Sequence, residues 1–183
     1  MERPQGQRHG QWRFGDRSGL DISDIQKIEA AEGYHMLSQI PEAAEELAKI
    51  SPENQNHPSV LFVACRVYSR LNRIPEAMAA VDLFLKAIPD HPFGYSFKSM
   101  LLIYQKHYQE AYELLEEAVR RFPYHGTFHY DLARAAGHCE RWTEAREWIY
   151  RAICIQKHLK IGALQAEVLA PIHDEIRAMH PAN

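Results

Sequence analysis

Two pairs of potential metal ligands in this sequence have a spacing that suits chemistry. They stand four residues apart, as they would on one face of a helix: His125 with His129, and Cys154 with His158. However, His57, His91 and His125 follow one another at intervals of 34 residues, which indicates a repeated structural position. Neither pair has a third and fourth ligand at a suitable spacing. We therefore predict no metal site and no cofactor.

Catalytic motifs are absent from the sequence. It contains no G-x-S-x-G, H-E-x-x-H or P-loop motif, and no glycine-rich turn after a strand. Glu42, Glu76, Glu110 and Glu144 form a column at intervals of 34 residues. Each stands where a helix is predicted to begin, and a carboxylate there favours the positive end of the helix dipole. The glutamates therefore have a structural explanation, and we predict that the protein is not an enzyme.

An internal repeat of 34 residues underlies these spacings. The phrase I-P-E-A occurs at residues 40–43 and again at 74–77, and YQEA and WTEA follow at 108–111 and 142–145. The repeat aligns four alanines: Ala43, Ala77, Ala111 and Ala145. Proline costs about 3 kcal/mol inside a helix but is tolerated in the first turn, so each phrase marks the start of a helix. Four rows in register predict a repeated supersecondary unit.

A second helix precedes each of these starts. Apolar residues recur at i, i+3, i+4 and i+7 from Leu61 to Tyr68, which is one face of a helix. A column of small residues (Ala31, Cys65, Ser99 and Ala133) faces the alanine column, so each row is a close-packed antiparallel hairpin. Pro89 and Pro123 end two of the second helices. We predict helices near 22–37, 41–50, 58–71, 75–87, 92–106, 109–121, 126–138 and 143–156, with no strand.

The pattern of small residue, aromatic residue, alanine and closing proline resembles the tetratricopeptide repeat, most closely over residues 58–89. Tyr34 and Tyr68 match the aromatic column, whereas Leu102 and Ala136 depart from it. Lys98 replaces an apolar residue, and the last row ends in Lys157 instead of proline. The resemblance implies an all-α, right-handed superhelix, or α-solenoid, of antiparallel helix-turn-helix hairpins. The first helices would line a concave groove.

Three segments follow from this interpretation. Residues 1–21 form a polar, mildly basic tail, residues 22–157 form four repeats, and residues 158–183 form a C-terminal capping helix and tail. The tail is expected to be an unstructured leader, although Trp12 and Phe14 leave the alternative that it folds onto the repeats or a partner. The cap is predicted from an apolar helical stripe: Leu164, Val168, Leu169, Ile172, Ile176 and Met179. Pro171 either kinks that helix or begins its second half.

Composition excludes several kinds of partner. The net charge of −3 gives no excess of cationic residues for a nucleic-acid backbone. The uncharged stretches are too short to span a membrane, and the N-terminus lacks the apolar core of a secretory signal. Three cysteines without a C-x-x-C motif indicate reduced thiols, so we predict a cytoplasmic protein.

The candidate binding residues are those that the hairpin core does not need. They are apolar and basic: Phe62, Arg66, Arg70, Phe93, Phe97, Met100, Tyr104, Tyr130, Arg134 and His138. Aromatic and methionine side chains suit apolar anchors, and arginines bind carboxylates bidentately. The alternative is that some of these side chains pack against the next repeat or the tail. Tyr108 and Trp142 stand in an apolar column and are predicted to be core residues.

The resemblance implies a non-enzymatic interaction module, an adaptor or scaffold that binds a peptide segment of another protein. That segment would carry apolar and acidic side chains. The family's clamp for the C-terminal carboxylates of chaperones does not carry over, because only Arg66 has suitable chemistry among the matching positions. Two alternatives stay open: a small secretion-type chaperone for an aggregation-prone client, and a structural protein that assembles into homo-oligomers.

Overall fold

The computed structural model describes residues 15–180, and the regular structure in that range is entirely helical. The helices are α1 (Ile22–Met36), α2 (Ile40–Ala48), α3 (Pro58–Arg70), α4 (Ile74–Ala87), α5 (Pro92–Tyr104), α6 (Tyr108–Arg121), α7 (Gly126–His138), α8 (Trp142–Ile155), α9 (Leu159–Gln165) and α10 (His173–Ala178). Short 3₁₀ helices cover Pro52–Asn54 and Glu167–Ile172. The predicted all-α class is confirmed. The first eight helices begin within one residue and end within two residues of the predicted bounds.

The chain divides into two compact units, one up to His91 and the other from Pro92 onward. In the first unit, α1 pairs with α2 and α3 pairs with α4, while α3 also contacts both helices of the first hairpin. In the second unit, α5 pairs with α6 and α7 pairs with α8, and α6 contacts α7. Each unit therefore contains two of the predicted hairpins.

The two columns of small residues lie at the centre of the hairpins. All eight of their members, Ala31, Cys65, Ser99, Ala133, Ala43, Ala77, Ala111 and Ala145, are at most 1% exposed. Small side chains allow the two helix backbones of a hairpin to approach closely, because protein interiors tolerate no extra volume. Burial also raises the pKa of the Cys65 thiol to about 12, so Cys65 is an unreactive core residue.

The hairpin turns repeat with the same period as the helices. Among residues 15–180, the non-glycine residues with positive φ are Ser38, Asn72, Lys106 and Glu140, at φ values of 57° to 64°. In each turn, the residue directly after the one with positive φ donates its backbone N–H to the carbonyl five residues before it, at 2.8–2.9 Å. This closure satisfies the last carbonyls of the first helix. The left-handed backbone conformation is strained for a residue other than glycine, so each of the four turns carries a conformational cost.

Asp24 is a buried carboxylate that joins the first hairpin to the segment after it. Its oxygens accept hydrogen bonds from the Asn54 side chain at 2.8 Å, from Lys27 at 2.9 Å and from the Ser51 backbone N–H at 3.2 Å. Donors from Asn54 and Lys27 favour the ionised form, so they hold the pKa of Asp24 well below its ordinary value. Asp24 therefore fixes the loop between α2 and α3 against α1.

Replacing Asp24 with asparagine is expected to lower the melting temperature at neutral pH. Because the pKa of Asp24 is lowered on folding, its stabilisation is fully present well above the unfolded value of 3.8 and is lost as the pH falls below it. Melting curves of Asp24→Asn should consequently depend less on pH in the acid range than those of the parent. Glu29→Gln, an exposed change on the same helix, is the control. Equal acid profiles for parent and Asp24→Asn would contradict this role.

The C-terminal segment departs from the single capping helix that we predicted. It consists of α9, the 3₁₀ helix Glu167–Ile172 and α10, and these pieces pack against α7 and α8. Pro171 lies inside the 3₁₀ helix, where a ring without an N–H group prevents a continuous α-helix. Leu169, Ile172 and Ile176 are fully buried, whereas the other three residues of the predicted stripe are only partly buried.

Residues 16–18 contact the first unit. Arg17 forms an ion pair with Glu32 of α1 at 2.9 Å. The Ser59 hydroxyl of α3 donates to the carbonyl of Asp16, and the Nε2 of His57 donates to the carbonyl of Ser18 at 3.1 Å. Residues 16–18 therefore pack on the repeats, whereas the alternative prediction for the tail concerned Trp12 and Phe14. Trp12 and Phe14 lie outside the described residues.

Candidate functional site

In the first unit, α3 carries three of the predicted binding residues. Phe62 and Arg66 are partly buried and Arg70 is exposed. The Phe62 ring packs 6.4 Å from the Phe84 ring of α4, centre to centre, and the Arg66 guanidinium lies 5.6 Å from the Phe62 ring. Phe62 is thus anchored to the hairpin core while its outer part supports Arg66.

His35, which the sequence analysis did not select, completes this group. It lies in the last turn of α1, and its Nδ1 is 3.2 Å from the Nη2 of Arg66. Since arginine can only donate, Nδ1 accepts this hydrogen bond and the ring proton resides on Nε2. Burial lowers the pKa of His35, and the positive charges of Arg66 and Arg70 lower it further. His35 precedes Arg66 by 31 residues, so only the packing of α1 on α3 brings them together.

In the second unit, α5 carries an apolar row that we call the α5 stripe: Phe93, Phe97, Met100 and Tyr104. Steps of four, three and four residues place them along one side of the helix. Phe93 and Phe97 are partly buried and their ring centres lie 5.3 Å apart. Met100 is 46% exposed and Tyr104 is 64% exposed. The opposite side of α5, with Tyr95, Ser99, Leu101 and Leu102, is buried.

A cavity of about 280 Å³ lies beside this stripe, between α5 and α7. Its walls are Ser96, Ser99, Met100 and Ile103 of α5, and Asp131 and Arg134 of α7. Arg134 and Asp131 form an ion pair at 3.3 Å. Burial raises the pKa of Asp131, and the charge of Arg134 opposes that change. The cavity thus has two serines and two apolar side chains on one wall and a charge pair on the other.

The ion pair with Asp131 reduces the hydrogen-bonding capacity that Arg134 has left for a ligand. The sequence predicts for Arg134 the same role as for Arg66, that of binding an acidic group. Because Asp131 already occupies part of the guanidinium, an incoming carboxylate would compete with it. The pairing could have been read from the i, i+3 spacing of the two residues.

The remaining two candidates on α7 contact other parts of the second unit. The hydroxyl of Tyr130 donates to the carbonyl of Gly162 in α9 at 3.3 Å. The ring of His138 stacks on the ring of Tyr108, with centres 4.0 Å apart and planes nearly parallel. Tyr130 therefore ties α7 to the C-terminal segment. Tyr108 and Trp142 are partly buried, so they are less enclosed than the core residues that we predicted.

Of the two pairs of potential metal ligands, His125 and His129 form local hydrogen bonds. Nδ1 of His125 lies 2.6 Å from the Thr127 hydroxyl, and Nε2 of His129 donates to the carbonyl of Pro123 at 2.9 Å. Cys154 and His158 are both exposed. Between residues 15 and 180, no three histidine, cysteine, aspartate or glutamate side chains are grouped to hold a metal ion. In the same part of the chain, each helix falls short of the length and apolar character of a membrane span.

Comparison with known proteins identifies the class. The family model described as tetratricopeptide repeat matches residues 98–158. A crystal structure of MamA superposes with a TM-score of 0.71 at 13% sequence identity, covering 86% of this chain and 87% of MamA. MamA from Desulfovibrio magneticus RS-1, from its residue 41 onward, superposes with a TM-score of 0.69 at 18% identity, covering 87% of this chain and 96% of that fragment. No curated protein sequence matches significantly.

The tetratricopeptide repeat that the sequence predicted is confirmed by the family model over residues 98–158 and by the likeness of the fold to MamA. The likeness to MamA concerns the fold alone, because the sequence identities are low. Tetratricopeptide repeats are generally a non-enzymatic fold that binds proteins or self-assembles. The fold therefore supports a protein-interaction or scaffold module.

Proposed function

We propose that this protein binds a segment of another protein on the surfaces formed by the first helices of its hairpins, and that it has no catalytic activity. The observation that supports the proposal most strongly is the α5 stripe beside the cavity. Exposed apolar side chains in a row are uncommon on a monomer unless they meet a partner. The α5 stripe has two such side chains, Met100 and Tyr104, and they follow the partly buried pair Phe93 and Phe97 along the helix.

The chemistry of the α5 stripe favours an apolar segment over a charged one. Methionine adapts to irregular partner side chains, and tyrosine combines a large contact area with a polar end. The only charges on the cavity wall, within the described chain, are the paired Asp131 and Arg134. A partner side chain in this cavity would therefore be apolar or neutral, because an added charge would break the pair.

Affinity capture followed by mass spectrometry is the first test of the proposal. An overlapping peptide array of the captured protein then identifies the bound segment, and fluorescence anisotropy measures its affinity. The double variant Met100→Ala/Tyr104→Ala is expected to weaken binding about tenfold or more, because central anchors dominate the energy of an interface. Its melting temperature should stay close to that of the parent, since both side chains are exposed in the free protein.

Tyr124→Ala/Ile161→Ala is the matched control, because it removes two apolar side chains of 88% and 65% exposure elsewhere in the same unit. It should leave binding unchanged. Equal losses in the two double variants would mean that the α5 stripe is not the binding surface. Concentration-dependent self-association in light scattering, without a captured partner, would favour the self-assembling alternative. A captured client that aggregates without this protein would favour the chaperone.

A further inference from the structure

A cationic cluster lies in the first unit, formed by Arg66 and Arg70 of α3 and His35 of α1. Arg66 and Arg70 are one helical turn apart, and Arg66 reaches His35 across the two helices at 3.2 Å. Within residues 15–180, neither arginine is paired with a carboxylate. Two guanidinium groups and a histidine are thus held together without a counter-ion from the described chain.

The nearby acidic residue is already engaged. Glu32 lies on α1 one turn before His35, and it pairs with Arg17 from the segment that precedes the helix. One oxygen of Glu32, Oε2, accepts the hydrogen bond from Arg17 at 2.9 Å. This ion pair, which is partly buried, balances the charge of Glu32, while Oε1 of Glu32 is buried without a hydrogen-bond partner among the described residues. As a result, the charge of the cluster is available to an external group.

We propose that Arg66, Arg70 and His35 form a subsite for a carboxylate side chain of the bound protein segment. The inference rests on the interaction role proposed above and specifies its chemistry. Arginine presents parallel N–H donors that match a carboxylate, and the Nε2–H of His35 adds a further donor. The Phe62 ring supports the Arg66 guanidinium. A segment with an acidic side chain fits this surface.

Carboxylate binding at this subsite is coupled to proton uptake by His35. In the free protein, burial and the two arginines disfavour the imidazolium form. A bound carboxylate opposes the arginine charges and raises the pKa of His35, so affinity increases as the pH falls from 7.5 to 5.5. The added proton occupies Nδ1, so Arg66 then donates to the carboxylate instead of to His35. The charged residues on the helices packed against α1 are Glu42, Glu45 and Glu46 of α2, with Lys49 directly after it, and Arg66 and Arg70 of α3, and of these the two arginines lower the pKa of His35. Glu32, on the same helix, is neutralised by Arg17.

The test uses a fluorescently labelled hexaglutamate peptide and anisotropy on the full chain. Arg66→Gln is expected to weaken hexaglutamate binding about tenfold, the effect of losing a hydrogen bond between charged groups. Arg120→Gln, which removes the same charge from an exposed position of the second unit, should change the affinity less than twofold. Hexaglutamine should not bind. Thermal melting of both variants should match the parent.

Two further measurements separate a binding role from a structural one. The pKa of His35, followed by NMR of its Cε1 proton, should rise when hexaglutamate is added, and His35→Gln should abolish the increase in affinity at pH 5.5. Arg17→Gln should weaken hexaglutamate binding by releasing Glu32 as a competitor. Arg17→Gln/Glu32→Gln should restore that binding.

Unchanged binding in Arg66→Gln, or a His35 resonance that titrates identically with and without hexaglutamate, would overturn the inference. Inorganic phosphate that binds as tightly as hexaglutamate and is lost in Arg66→Gln would overturn the assignment to a carboxylate. Neither result affects the proposed interaction function, which is judged on the α5 stripe with its own variants. Conversely, loss of that function would leave hexaglutamate binding at the cluster intact.

Discussion

A chain truncated after His158 is expected to melt at a markedly lower temperature than the full chain, or to aggregate. The removed segment covers α7 and α8, and Leu169, Ile172 and Ile176 are fully buried there. Its removal would expose the apolar faces of the last hairpin, and terminal repeats without a cap lose solubility. Circular dichroism melting and light scattering of the truncated chain measure the two effects.

A point substitution tests the same contact without removing the segment. Ile176→Ala should lower the free energy of unfolding by about 2–5 kcal/mol, the usual cost of truncating a buried isoleucine. Ile161→Ala is the matched control, because Ile161 belongs to the same segment but is 65% exposed. It should change that free energy by about 0.5 kcal/mol or less. If the truncated chain and Ile176→Ala were as stable and monomeric as the parent, the segment would have some other role.

The alanine column should be the second most sensitive feature. Ala77→Leu or Ala111→Leu inserts a branched side chain between two paired helices at a position with 0% exposure. The helices would have to separate, at a cost of about 1–3 kcal/mol in the free energy of unfolding. Urea titration of each variant gives this value directly, and the slope of the transition shows whether unfolding is still two-state.

The neighbouring glutamates provide the controls for this column. Glu110 is exposed and pairs only with His107 through its side chain, at 3.1 Å, as far as the described residues extend. Glu110→Gln, and likewise Glu76→Gln, should therefore lower the free energy of unfolding far less than the alanine substitutions do, as expected for exposed charges near a helix start. Equal costs in the alanine and glutamate columns would mean that the hairpin interface lies elsewhere.

The helical framework was predictable because its signals are local. Proline in a first turn, apolar residues at helical spacing and small residues in two columns each act within one hairpin, and the 34-residue period repeats them four times. Agreement between rows reinforces each signal, so the starts of the first eight helices are predicted to within one residue. The C-terminal segment has no such repetition. There the local effect of Pro171, together with packing on α7 and α8, divided one predicted helix into three pieces.

The turns were beyond prediction for a related reason. Lys106 and Glu140 adopt the left-handed conformation that normally favours glycine, because helix pairing imposes it on whichever residue occupies the position.

The candidate binding residues were likewise predictable from the sequence only in part. The sequence by itself determined which side chains the hairpin core does not need, since helical periodicity separates the two faces of each first helix.

Only the tertiary structure decided what those side chains contact. Arg66 meets His35 without a carboxylate in the described chain, whereas Arg134 is matched by Asp131 in a partly buried cavity wall. Asp24 likewise finds its donors Ser51 and Asn54 beyond the first hairpin. Charge, desolvation and hydrogen bonding depend on distances between elements far apart in the sequence. Residue types and spacing do not contain those distances until the helices are packed.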